Sequence, residues 1–135
     1  MKFVYAFVAG FVSTLLFHQG VLYGLIQAGA TAKGPWDMTP VPPLGVPSVV
    51  SLALFGGLWG IALWAMIRGR TGASYWTAAT ALGAILPTLV ALFVVFPLKG
   101  LDFAAGWNPK IWIGALLVNA AWGIGVALLM KLVPR

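Results

Sequence analysis

Four stretches of this chain carry no charged side chain: 3–32, 38–67, 71–98 and 111–130. Each is about 20 residues or longer, enough for a helix to cross a hydrocarbon layer of ~30 Å. All ten charges among the 135 residues are confined to the ends and to the connections. Charged residues make up 7% of the chain and hydrophobic ones 61%. A water-soluble domain carries roughly a quarter charged residues, so this chain lacks the charge to solvate a globule. The expectation is an all-α polytopic membrane protein: one domain, 1–135, with four transmembrane helices in a compact bundle.

Punctuation residues place the helices at about 3–27, 47–67, 75–97 and 111–130. The first run is long for the ~7–15-residue apolar region of a signal peptide, although "AGATA" resembles a cleavage site; a retained helix is expected. Prolines at 35, 40, 42 and 43 fix φ in the connection 28–46. They predict an ordered, stiff, polyproline-like outer loop with Trp36 and Met38 as interfacial anchors. Pro47 suits the first turn of the second helix, and Ser74 the N-cap of the third. Asn108 and Pro109 form a cap-plus-first-turn signal for the fourth.

The net charge of +6 does not indicate nucleic-acid binding, because the cations lie singly or in pairs at span ends. Lys2, Arg68, Arg70, Lys131 and Arg135 fall on one side. Lys33, Lys99 and Lys110 fall on the other, with Asp37 and Asp102. The excess of cations on the first side predicts that both termini are cytoplasmic. Tyr75 and Trp76 mark one interface, Trp107 and Trp112 the other. The implied partners are the lipid bilayer and other membrane chains, or a second copy.

The polar residues inside the spans are the candidate site: Thr14, His18, Gln19, Thr88 and Asn119. His18 is the single histidine. Polar groups in hydrocarbon seek protein partners, so a neutral His18 facing the bundle interior is expected. Counting depth from the span ends makes Asn119 its first partner and Thr88 its second. Gln19 should point to another helix or to the outer loop, away from His18, since helical neighbours diverge by ~100°. Three roles for His18 stay open: a packing residue, a proton-handling group, or an axial ligand to a tetrapyrrole. No cofactor is otherwise implied.

Small residues recur at four-residue spacing: Ala6 and Gly10, Gly20 and Gly24, Gly56 and Gly60, Ala79 and Gly83, Ala121 and Gly125. Such faces let helix backbones approach closely where no hydrophobic drive joins helices. An internal echo is visible too. Trp59-Gly60-Ile61 matches Trp122-Gly123-Ile124, each following a proline (Pro47, Pro109) by similar spacing. A duplicated helical hairpin would produce it.

Catalysis finds little support. No carboxylate lies within a span, which removes acid–base pairs and carboxylate metal sites. Ser13 and Ser51 lack a triad pattern, no phosphate-binding glycine loop is present, and cysteine is absent. The expected role is non-enzymatic: helix packing as an accessory or assembly subunit of a larger membrane complex, or as a self-associating bundle. The alternatives are a small transporter or channel with a polar path near His18 and Asn119, and a pigment- or haem-binding subunit. The strings "LLFHQGVLYGL" and "PVPPLGVPSVVSLALFGGLWGI" are similar to those of a family of small proteobacterial four-helix membrane proteins. That resemblance covers most of the chain, implies a bacterial inner-membrane location, and carries over no catalytic residue.

Overall fold

The computed structural model describes residues 2–29, 34–42 and 44–134. Lys33, Pro43 and Arg135, which entered the charge and proline arguments above, lie outside them. Four helices dominate: α1 (Lys2–Gln27), α2 (Ser48–Ile67), α3 (Gly72–Leu98) and α4 (Pro109–Lys131). All four are long and apolar enough to cross a membrane. Large apolar side chains cover the outside of the bundle, among them Leu16, Phe55, Leu58 and Ile113. A water-soluble domain hides such residues.

The helices line up as α2–α1–α4–α3, with α1 and α4 in the middle and only light contact between α2 and α3. Small residues set this order. A Cβ on Gly60 would lie 2.5 Å from the carbonyl oxygen of Ala6 and 2.9 Å from the Cα of Gly10. One on Gly123 would lie 2.3 Å from the carbonyl oxygen of Ala79 and 3.1 Å from the Cα of Gly83. The α1–α2 and α3–α4 pairs are therefore built alike, Ala6 and Gly10 corresponding to Ala79 and Gly83, and Gly60 to Gly123. The ends are alike in kind, with the ring positions one residue apart. Arg68 lies 5.5 Å from the ring of Phe3, and its counterpart Lys131 lies 4.4 Å from the ring of Tyr75. The echo around Trp59 and Trp122 thus extends to a repeated hairpin in space.

The two hairpins join through α1 and α4. Ser13 Oγ donates to the Trp122 carbonyl (2.7 Å), and Trp122 Nε1 donates to the Gly10 carbonyl (3.1 Å). Gly125 leaves room for Ser13 and Phe17. On the far flank, Tyr75 Oη donates to the Ala127 carbonyl at 2.6 Å. The Lys2 ammonium donates to the Pro134 carbonyl, so the two chain ends meet at one end of the bundle.

Several expectations need correction. Gly20 and Gly24 are not packing glycines: nothing lies within 4 Å of a Cβ built on either. They fall on the outer end of α1, past its close crossings. Gly123, not the half-buried Ala121, makes the close approach on α4. The helix α3 begins at Gly72, with Thr71 extended at the cap position and making no side-chain cap bond. Ser74 lies inside the first turn and accepts from Arg70 at 3.1 Å. Asn108 caps α4 as expected, its Oδ1 accepting from the Lys110 amide at 3.0 Å. The described part of the 28–46 connection is not simply extended. Pro40–Val41 pairs antiparallel with Val46–Pro47, and Asp37 Oδ1 caps the Thr39 amide at 2.9 Å.

The glycine contacts give a graded prediction. Gly60→Ala and Gly123→Ala each push a methyl against backbone, which cannot rotate away. Each should cost on the order of 1–3 kcal/mol, the usual range for overpacking. Gly24→Ala should melt at or above the wild-type temperature, since Ala is the better helix former. Thermal unfolding in detergent checks this. Equal midpoints for Gly60→Ala and Gly24→Ala would refute the packing account.

Candidate functional site

The site begins with a local fault in α1. The Gly10 carbonyl accepts from Thr14 Oγ1 (2.9 Å) as well as from Trp122 Nε1. Competition of this kind loosens the regular i→i−4 ladder, and at Thr14 the helix widens into one π turn, Thr14–His18. The Gln19 amide then bonds the Thr14 carbonyl instead of that of Leu15, its α-helical partner. The Leu15 carbonyl accepts from Trp36 Nε1 at 2.8 Å. The widened turn thus creates the seat for the outer loop.

Trp36 is held at two further points, in a strained backbone conformation. Its amide donates to Gln19 Oε1 (2.8 Å), its ring tilts against Tyr23 at 6.2 Å, and its backbone adopts φ 55°. A non-glycine residue in this left-handed region is strained and persists only where its surroundings fix it. Gln19, fully buried, is therefore the pin between α1 and the loop.

The same pin sets His18. The Trp36 amide can only donate, so Gln19 turns its Oε1 toward it and offers Nε2 to His18 Nδ1, 3.0 Å away. The imidazole accepts at Nδ1 and carries its proton on Nε2, the neutral tautomer. A metal-ligating Nε2 needs the opposite arrangement, with Nδ1–H donating to an acceptor. Two expectations fall here. His18 does not meet Asn119 or Thr88, and Gln19 lies beside His18 while also reaching the outer loop. The π turn rotates less per residue than the ~100° assumed, which brings neighbouring side chains within reach. His18 is half-buried; Gln19 is the interior residue.

Asn119 bonds elsewhere. Its Nδ2 donates to Thr88 Oγ1 at 2.8 Å, joining α4 to the fully buried Thr88 of α3. Asn119 shares a face with Gly123, turned toward α3, while Trp122 and Gly125 meet α1. The two residues expected to partner His18 bond each other instead. Among the described residues, the buried side-chain polar atom without a partner is Trp64 Nε1 on α2, and no group of His, Cys, Asp and Glu could hold a metal ion.

The connection between α3 and α4 uses another device. Ala104, Ala105, Gly106 and Trp107 all have φ between 55° and 63°, a single left-handed turn. Left-handed helix costs roughly 1–2 kcal/mol per non-glycine residue. Aromatic packing holds it: Trp107 stacks on Trp112 (5.6 Å, 4°), with Phe93 and Phe103 beside them. Trp112 Nε1 donates to the Ala104 carbonyl at 2.8 Å. The sequence marked Trp107 and Trp112 as interfacial but gave no sign of the turn.

Double-mutant cycles separate the two polar groups. Asn119→Ala with Thr88→Val should show a coupling of about 0.6–2 kcal/mol, the range for hydrogen bonds between membrane helices. Asn119→Ala with His18→Ala should be additive, as expected for groups without contact. Gln19→Leu should expose the segment around Trp36 to limited proteolysis, with a smaller effect from His18→Ala. Coupling between His18 and Asn119 would overturn this geometry.

No family model, curated protein or solved structure matches the chain.

Proposed function

We propose that this chain is a non-enzymatic, multi-pass inner-membrane protein with cytoplasmic termini, acting as an accessory subunit that packs against other membrane chains. One observation carries the reading. Ser13, Gln19, Thr88, Asn119 and Trp122 are spent in bonds that tie one segment to another. Ser13 and Trp122 join α1 to α4, Thr88 and Asn119 join α3 to α4, and His18 and Gln19 hold the loop at Trp36. A transport path needs such groups to converge along a wet route, and these do not converge. Donation from Gln19 to His18 Nδ1 supports a packing role for His18 over an axial-ligand role.

Two measurements test it. Cross-linking in the native membrane, followed by mass measurement, should recover the chain with a constant second membrane component. A lone chain that also carries ions across proteoliposomes in a His18-dependent way would refute the proposal. For topology, the absence of native cysteine makes a single introduced thiol a clean reporter. Gly69→Cys should label only from the cytoplasm and Leu101→Cys only from outside; the reverse pattern would invert the orientation.

A further inference from the structure

The repeat exposes a difference between its halves. With Ala6 and Gly10 set on Ala79 and Gly83, residues Phe3, Phe7 and Phe11 of α1 correspond to Trp76, Thr80 and Ala84 of α3. In the first hairpin this stripe is filled. The Phe7 ring lies so close to α2 that a Cβ on Gly57 would be 2.6 Å from it, and Phe7 and Phe11 lie 6.4 Å apart. In the second hairpin two of the three rings are replaced by small side chains. What remains is an open groove of about 460 Å³ along α3, lined by Trp76, Thr77, Thr80, Ala81, Ala84 and Ile85. Thr80 turns its hydroxyl into its own helix, donating to the Trp76 carbonyl at 2.8 Å, so its wall of the groove is largely apolar.

The end of the groove nearest the chain termini is basic. Arg70 is held there by Ser74, which lies one turn before Thr77 on the same face. Lys131 sits over Tyr75, whose ring meets Trp76 edge-on at 5.3 Å. No acidic side chain lies at this end, because the two acids of the chain, Asp37 and Asp102, are in the opposite loops. A second copy docked here in parallel would bring like charges together. An anionic headgroup with an acyl chain meets both features at once.

We propose that this groove on α3 is a binding site for an anionic phospholipid, one acyl chain lying between Trp76 and Ile85 and the phosphate held by Arg70. The proposal rests on the chain spanning a bilayer.

The test is native mass spectrometry of the full-length protein from mixed micelles containing phosphatidylglycerol or phosphatidylcholine. The wild type should retain phosphatidylglycerol about fivefold better, the attraction expected of one cation near an anionic surface. Arg70→Gln should abolish that preference and leave phosphatidylcholine retention unchanged. Ala84→Phe restores the ring of the first hairpin and should reduce retention of both lipids. Ala81→Leu, at an exposed position, provides the same blockade where Ala84→Phe lowers the melting temperature. Equal retention of the two lipids by the wild type would overturn the headgroup assignment, and full retention by both filled variants would overturn the groove. A dimer lost on filling would assign the groove to a second copy and overturn the proposal. Retention of neither lipid would count against the membrane reading itself.

Discussion

The whole arrangement depends on one crowded point, the backbone of Gly10. Gly56 and Gly60 of α2 press on it from one side, and Trp122 of α4 donates to its carbonyl from the other. A side chain here would separate α1 from α2, since a Cβ on Gly10 would lie 2.1 Å from the Gly56 carbonyl oxygen. In hydrocarbon, helix association relies on dispersion and on bonds between polar groups. Both work only at short range. The glycine brings the backbones close enough for dispersion, and its carbonyl then serves as an acceptor for a neighbouring helix.

From that point the geometry propagates outward along α1. The Gly10 carbonyl is shared among competing donors, so the helix slips into a π turn that starts four residues later. The slip frees the Leu15 carbonyl for the Trp36 indole and turns Gln19 inward to hold the Trp36 amide. A packing decision among the helices is thereby converted into the position of the segment around Trp36. His18 is a by-product of the same slip: its tautomer is chosen by Gln19, whose orientation is chosen by a backbone amide.

The spans were legible because charge is so unevenly distributed, and the Asn108 cap because a side-chain acceptor before a proline has one local meaning. Ala6, Gly10, Gly56, Gly60, Ala79 and Gly83 were legible as close-packing faces from spacing alone. Gly20 and Gly24 have the same spacing but face nothing, since periodicity identifies a small face without saying what lies opposite. The π turn arises from tertiary competition for one carbonyl and has no local signature. That concealed the contact between His18 and Gln19. Asn119 was singled out as a polar residue within a helix, but its partner depended on helix order, and α4 turns that face to α3. The left-handed turn at Ala104–Trp107 was invisible for a similar reason, since alanine and tryptophan occupy it only under aromatic packing from Phe93 and Trp112.

The repeated hairpin also bears on how the chain is assembled. Contacts within α1–α2 and within α3–α4 join segments adjacent in sequence, so each pair closes at low entropic cost. The close glycine contacts of the first hairpin lie wholly within α1 and α2. The bonds between Ser13, Gly10 and Trp122 span more than a hundred residues and wait for the last helix to arrive. Until then the Gly10 carbonyl has no indole donor, and the competition that widens α1 is incomplete. The seat of Trp36 on α1 thus depends on a helix that follows it in the chain by more than 70 residues.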